Sequence, residues 1–156
     1  MLAVTTYDWF LSAHVLAAVI WVGGNVAMNI LALLTQREKD PLRMVHFAKQ
    51  AEWLGMRVFT PMSLVLLGFG FGMISNADLG YGLTWIQIAL AGWAASFLIG
   101  LLFLGPESAR LGKLMLERPP EDPEVQRRIG RILMVAKVDA LILLFIVFDM
   151  TAKPWS

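Results

Sequence analysis

The chain has 156 residues, a formal net charge of +1 and no cysteine, and 58% of its residues are hydrophobic. Soluble domains contain about 45–50% apolar residues even when glycine is counted, so this composition predicts a single-domain integral membrane protein over residues 1–156. The absence of cysteine excludes disulfides, thiolate nucleophiles and cysteine metal sites, and the near-neutral charge gives no argument for a nucleic acid partner.

The first predicted span covers residues 9–34, which carry no formal charge and exceed the roughly 20 residues needed to cross a bilayer. No Lys or Arg precedes it, so we expect it to remain as a helix rather than to be cleaved as a signal peptide. Polar side chains inside a span normally face the bundle interior or a ligand. Helical spacing places four residues on one interior face: His14, Trp21, Asn25 and Met28.

The second predicted span covers residues 58–75, and Pro61 should kink it because proline removes a helix hydrogen bond. A polar turn at residues 35–41 precedes it, and Asp40 with Pro41 predicts a new helix start. Residues 42–57 form an amphipathic pattern with a basic face. We expect this helix to lie at the cytoplasmic membrane surface or to run straight into the second span.

The third predicted span covers residues 85–104 and is expected to end at Gly105-Pro106. The fourth covers residues 132–150. Gly92, Ser96 and Gly100 repeat every four residues, a pattern that lets helices approach closely. The segment at residues 118–124 is the clearest break, and Asp122 with Pro123 predicts a helix restart. The predicted fold is therefore an all-α four-helix membrane bundle.

Orientation follows from the basic residues. Eleven of the 13 Lys and Arg residues lie in the two long links, residues 35–57 and 105–131. The positive-inside rule therefore predicts a multi-pass protein of the bacterial inner membrane with both links in the cytoplasm and both termini outside.

Three charged residues of the fourth span are candidates for function. Lys137 can extend its long side chain towards the cytoplasm. Asp139 is too short to do so and needs a partner, a water or a proton, which leaves a structural pair and a proton-handling role open. Asp149 should lie closer in depth to His14, and contact between them is a testable hypothesis.

A cofactor site near His14 is a second candidate. His46 lies on the amphipathic helix, far from His14 in depth, so the two histidines should not share a metal. Met73 falls at about the depth of His14, and His/Met ligation of a haem iron is chemically reasonable. The alternatives are a packing histidine and a core methionine. The candidate cofactor set is His14 as iron ligand with Trp21, Asn25 and Met73.

The sequence also resembles a known membrane fold. The stretches YDWFLSAHVLAAVIWVGG, RVFTPMSLVLLGFGFGMI and TWIQIALAGW, separated by a basic link after the first, are similar to two groups. These are the HemJ-type protoporphyrinogen oxidases and the copper-resistance-D-like and related uncharacterised four-helix bacterial membrane proteins. The resemblance covers residues 7–104 and, weakly, the fourth span. Its markers are His14, Trp21, Gly24, Thr60-Pro61 and Gly72.

The resemblance implies an inner-membrane four-helix bundle and, in the oxidase group, b-type haem. The oxidase pattern has a His and a Lys in the third span, where this chain has Gln87 and Ala89. It also has an Arg and a His late in the first span, where this chain has Ile30 and Thr35. Only His14 carries over, so the uncharacterised relatives are the better match.

Three hypotheses about function follow. The first is a redox-linked membrane protein that binds haem b through His14. The alternative is an accessory subunit of a larger membrane complex, or a homo-oligomer, without catalysis of its own. The third is a small transporter component that uses Asp139 as a proton site. No glycine-rich phosphate loop, HExxH, GxSxG or kinase signature occurs, so we assign no enzyme activity.

Overall fold

The computed structural model describes residues 5–38 and 40–155, so Lys39 of the predicted basic link lies outside the described residues. The described chain is helical and contains no strand. Three long helices are each interrupted by a π-helical segment, and a fourth is continuous. They are α1 (Thr6–Ala18), π1 (Val19–Gly23) and α2 (Gly24–Glu38); α3 (Pro41–Leu54), π2 (Gly55–Phe59) and α4 (Thr60–Asn76); α5 (Thr84–Leu98), π3 (Ile99–Leu104) and α6 (Gly105–Glu117); and α7 (Pro123–Ala152).

The helix starts follow from local capping. The Asp40 side chain accepts hydrogen bonds from the backbone N–H groups of Leu42 and Arg43, and the Asp122 side chain accepts one from Glu124, with proline at the first helical turn in each case. Both predicted starts are confirmed. The α1 helix begins earlier than predicted, at Thr6, because Thr5 and Asp8 form a capping box.

Three of the long helices have the length and composition to cross a membrane. They contain 33, 36 and 34 residues, and in each only 11% of the apolar window is buried within the chain. At about 1.5 Å per residue they are roughly 50 Å long, so each exceeds a hydrocarbon core of about 30 Å. The α7 helix contains Lys137, Asp139 and Asp149 in its apolar half, which sets it apart from the other three.

Residues 42–57 do not form a separate surface helix. They are helical, but α3 passes through π2 directly into α4, giving one helix from Pro41 to Asn76. The second of the two predicted alternatives is therefore the one observed, while the cytoplasmic location of residues 42–57 stays a prediction. The turn at residues 35–41 is also shorter than predicted, because α2 continues to Glu38.

Two π-helical segments lie directly before an X-Pro pair. A proline provides no N–H donor, and its ring clashes with the carbonyl four residues back in an α-helix. Before Pro61, the Thr60 N–H donates to Gly55 O, and before Pro106, the Gly105 N–H donates to Gly100 O. Both bonds span five residues, so a widened turn takes the place of the helix break that sequence alone predicts at Gly105-Pro106.

The long helices pack in antiparallel pairs: α1 against α4, α5 against α7, and α3 against α6, while α2 also contacts α7. One apolar cluster lies at the end that carries the long basic links, and consists of Met44, Val45, Leu111, Met115, Val125 and Ile129. A smaller cluster lies at the opposite end and consists of Ile74, Trp85 and Ile86. We call the first end the basic end of the bundle.

An ion network ties α6 to α7 at the basic end. The buried Glu107 carboxylate accepts hydrogen bonds from Arg110 and Arg128, each at 2.9 Å, and Arg128 also pairs with Glu124. The hydrogen bond from Arg110, together with the charge of Arg128, holds the pKa of Glu107 below its usual value of 4.5, against the opposing effect of burial.

This network predicts an acid-sensitive contribution to stability. Since the pKa of Glu107 is lowered in the folded state, its stabilisation is present above pH 4.5 and is lost as the pH falls through the lowered value. We expect Glu107→Gln to lower the free energy of unfolding by about 1 kcal/mol at neutral pH, and less in acid. Denaturant unfolding in detergent at several pH values checks this, and an equal cost at all pH values would contradict it.

Candidate functional site

A cavity of about 140 Å³ lies between the helices of the bundle, and polar side chains interrupt its largely apolar wall. All three π-helical segments contribute to its wall, through Trp21 of π1, Gly55 and Phe59 of π2, and Gly100 and Leu104 of π3. The polar side chains that line it are Asn25, Asn29, Thr60, Ser63, Ser96, Ser108 and Asp139. Because π-helical turns frequently occur at functional sites, this convergence marks the cavity as the candidate site.

Asp139 is held in place by two asparagines of α2. Its side chain is 3% exposed, and its Oδ2 accepts a hydrogen bond of 2.7 Å from the Asn25 side-chain amide. The Asn29 amide donates to Asn25 Oδ1 at 3.1 Å and to Ala136 O at 3.3 Å. These hydrogen bonds run from Asn29 to Asn25 and from Asn25 to Asp139. They orient the Asn25 side-chain amide and hold the Asp139 carboxyl group at the wall of the cavity.

Two buried oxygens of the cavity wall have no hydrogen-bond partner among the described residues. They are Asp139 Oδ1 and Ser96 Oγ. The neighbouring hydroxyls are committed elsewhere, since Ser63 Oγ donates to Thr60 O and Thr60 Oγ1 donates to Gly55 O, both at 2.8 Å. The described wall contains no Lys, Arg or His. A buried carboxylate without a cation is costly, so this site is suited to a proton or a cation.

The cavity is elongated along the helix axes. On the second long helix its wall runs from Phe47 to Ser63, or about 24 Å at the α-helical rise. Ser63, Ser96 and Asp139 lie at the end away from the basic end, and each is 12 or 13 residues from the nearer terminus of its own helix. The cavity therefore extends from the middle of the bundle towards the basic end, with Asp139 at its inner limit.

The predicted interior face of the first span is divided by π1. Trp21, Asn25 and Met28 line the cavity, as a shared face requires, but His14 does not. A π-helical turn contains an extra residue, so it rotates the residues before it relative to those after it. Spacing arithmetic that assumes an unbroken α-helix from residue 14 to residue 25 therefore does not apply across π1, and the shared face of the four residues stays a prediction.

His14 packs instead against α4. Its Nδ1 lies 2.8 Å from Leu66 O and donates to that carbonyl, since a carbonyl oxygen only accepts, while its Cε1 edge faces Gly70. This bond leaves Nε2 as the nitrogen that could bind a metal, as in many metal-ligating histidines. Gly70 is three residues before Met73 on the same helix.

The predicted haem ligands lie away from the cavity. The cavity of about 140 Å³ is smaller than the roughly 300–1,000 Å³ of typical ligand sites, and neither His14 nor Met73 lines it. His46 borders a separate groove at the protein surface. In the part of the chain that is described, no group of three or more His, Cys, Asp or Glu residues could hold a metal ion. The haem site of the sequence analysis stays a prediction.

The two other charged candidates on α7 lie outside the cavity. Lys137 is exposed on the outer surface of the bundle, in keeping with its expected extension away from the interior. Asp149 is fully buried, and neither of its carboxyl oxygens has a hydrogen-bond partner among the described residues. The proposed contact between His14 and Asp149 is therefore not formed as a hydrogen bond.

Sequence reasoning selected Trp21 but missed the other aromatic residues of the cavity wall. Four aromatic side chains line it: Trp21, Phe47, Phe59 and Phe97. Phe97 stacks on Trp93 with ring centroids 5.1 Å apart, and the Trp93 indole N–H donates to Ser63 O. The signal that could have located this wall is the pair of X-Pro sequences, Thr60-Pro61 and Gly105-Pro106, since each follows a wall segment.

Comparison with known proteins gives one family. A family model described as "Predicted integral membrane protein (DUF2269)" matches residues 10–154, so the chain belongs to this family. No curated protein and no solved structure matches the chain. The family match supports an integral membrane protein of unknown function, and it does not support the resemblance to the HemJ-type oxidases or the copper-resistance-D-like proteins.

Proposed function

We propose that this member of the DUF2269 family of predicted integral membrane proteins spans the membrane four times and binds a proton or a small cation at Asp139. The observation that supports this is the Asp139 carboxyl, which is 3% exposed and has Oδ1 without a partner among the described residues. An ionisable side chain inside a membrane bundle is expensive and is usually retained for function.

The fourth span is α7, although its charges set it apart. Its buried Asp139 faces the cavity and its exposed Lys137 can reach towards the basic end, so neither charge requires contact with lipid tails. Many large apolar side chains on this helix are exposed, among them Leu141, Leu144, Phe145 and Phe148. Such a surface suits a lipid environment.

We further propose that the basic end faces the cytoplasm of a bacterial cell, with both termini outside. Arg and Lys residues concentrate at this end on α3, α6 and the first half of α7, as the positive-inside rule requires of cytoplasmic segments. A proton or cation would then reach Asp139 from the cytoplasmic side, through the elongated cavity. The role supported best is a cation-handling component of the inner membrane.

A hydrophobic carbodiimide tests the site, because such reagents modify protonated carboxyl groups in water-poor surroundings. We expect dicyclohexylcarbodiimide to label Asp139 in the purified protein, with labelling that decreases as the pH is raised, measured by mass spectrometry of peptides. Asp139→Asn should lose this adduct, whereas Asp149→Asn, the same change at a buried position outside the cavity, should retain it. An Asp139 peptide that stays unlabelled across the pH range would overturn the proposal.

Two other hypotheses stay open as alternatives. An accessory subunit would need a free packing surface, and Gly68 on α4 is exposed with no atom near its vacant Cβ position, whereas Gly72 and Gly92 pack against Phe10 and Ile146. Co-purification with a stoichiometric partner would favour that role. Haem binding by His14 would give a Soret absorption band that disappears in His14→Ala.

A further inference from the structure

An open groove lies on the outer surface of α3, at the basic end of the bundle. It measures about 390 Å³ and is lined by His46, Lys49, Gln50, Trp53 and Leu54, of which the first four are exposed. Since these residues recur every three or four positions, they share one face of the helix. The exposure of their side chains shows that no other described helix covers this face.

The groove is polar at one end and apolar at the other. Its three polar residues lie towards the start of α3, whereas Trp53 and Leu54 lie towards α4 and the second predicted span. Arg57 follows Trp53 by one helical turn and is also exposed. Helical side chains tilt towards the N-terminus of their helix, so the long side chain of Arg57 can extend to the groove. This order of polarity is that of a phospholipid, with the headgroup outside and the acyl chains inside.

A contact between helices places the groove at the edge of the hydrocarbon core. The Met56 sulfur lies 3.6 Å from the vacant Cβ position at Gly105, the residue that follows the third predicted span. On this helix the edge therefore lies near Met56. Trp53 and Lys49 precede Met56 by three and seven residues, or about 5 and 10 Å at the helical rise. A headgroup layer is about 5–8 Å thick on each side of a bilayer, so the groove lies at the depth of lipid headgroups.

Two cations at the groove have no carboxylate partner. Lys49 and Arg57 form no ion pair with any described carboxylate, and Glu52, the one acidic residue of α3, does not line the groove. His46 and Gln50 add N–H donors. Four arginines at the basic end are instead paired with carboxylates: Arg43, Arg110, Arg118 and Arg128. The groove therefore presents uncompensated positive charge and hydrogen-bond donors, which complement a phosphate group.

We propose that this groove binds an anionic phospholipid of the adjoining leaflet, with its phosphate between Lys49 and Arg57 and its glycerol and upper acyl chains against Trp53 and Leu54. Basic residues at this depth attract anionic lipids, and tryptophan side chains favour the headgroup level. The inference is independent of the proposed function at Asp139, because no residue lines both the groove and the cavity.

Native mass spectrometry of the purified protein in detergent tests the proposal, with dioleoylphosphatidylglycerol and dioleoylphosphatidylcholine as the probes. The two lipids have the same acyl chains and differ in headgroup charge. We expect the anionic lipid to bind about fivefold more tightly or better. Lys49→Gln combined with Arg57→Gln should weaken binding of the anionic lipid about tenfold and change that of phosphatidylcholine by less than about twofold.

The matched control combines Lys113→Gln with Arg127→Gln. These residues are exposed, form no ion pair with a described carboxylate and lie outside the groove, so the control removes the same charge elsewhere. It should leave binding of the anionic lipid unchanged. All four substituted side chains are exposed, so both variants should fold, which circular dichroism checks.

Three results would overturn the proposal. Equal affinity for the two lipids, or equal weakening by the two double variants, would remove the headgroup site. Release of the bound lipid by millimolar inorganic phosphate would assign the groove to a free anion. A dimer that dissociates in the Lys49 and Arg57 variant would assign this face to a second copy of the chain.

Discussion

Replacing Asn25 by leucine is expected to lower the free energy of unfolding by about 2 kcal/mol, although leucine branches at the same atom as asparagine and is better suited to a membrane interior. The reason is the 2.7 Å hydrogen bond from Asn25 to Asp139 Oδ2. Without it, both oxygens of a buried carboxyl group lack a partner, and leaving a buried polar group unsatisfied costs about 1–3 kcal/mol. The expected cost is larger than the average of about 0.6 kcal/mol for interhelical hydrogen bonds in membranes, because here the carboxyl group left behind is buried.

A double-mutant cycle separates this bond from other effects of the substitution. Asn25→Leu should cost less in a chain that also carries Asp139→Leu, because no carboxyl group is then left unpaired. The free energies are measured by denaturant titration in mixed micelles, followed by circular dichroism. Costs that simply add in the double variant would show that the two side chains do not stabilise each other.

The second large effect on stability is expected from substituting Gly24, and not from substituting its neighbour Gly23. A Cβ atom at Gly24 would lie 2.5 Å from Phe59 Cε1 and 2.9 Å from Cζ, so the aromatic ring of π2 must move. Overpacking of this kind costs about 1–3 kcal/mol, and we expect Gly24→Ala to lower the free energy of unfolding by about 2 kcal/mol.

Gly23→Ala is the matched control, because the vacant Cβ position at Gly23 has no atom within 4 Å. Alanine is a better helix former than glycine by about 1 kcal/mol, so this variant should be neutral or slightly stabilised. Thermal unfolding of the two variants in the same detergent makes the comparison. Equal stability of the two would refute the close packing of α2 on Phe59.

Much of the fold could be predicted from residues with local effects. Composition predicted a membrane protein, which the family match supports, and Asp40-Pro41 and Asp122-Pro123 correctly marked two helix starts. Capping acts within one turn, so a local pattern is sufficient. The helix end predicted at Gly105-Pro106 was wrong. A proline can be accommodated either by ending the helix or by a widened turn, and here the widened turn π3 continues into α6.

The candidate site was predicted in parts. Asn25, Trp21 and Asp139 were each selected for being polar or aromatic within a span, and all three line the cavity. Their meeting could not be predicted, because α2 and α7 are separated by more than a hundred residues at the bond between Asn25 and Asp139. His14 was grouped with them by α-helical spacing, but it packs against α4 and does not line the cavity.

The sequence by itself determined that the chain is helical, that it belongs in a membrane and that a few polar residues must be buried, because these properties depend on composition and on interactions within one or two turns. Tertiary structure decided which of those residues share a cavity. That outcome depends on helix register, which the π-helical segments shift, and on contacts between distant helices. That packing brings Asn25 into hydrogen-bond contact with Asp139 and leaves Asp139 Oδ1 without a partner among the described residues. It also places aromatic side chains in the wall of the same cavity.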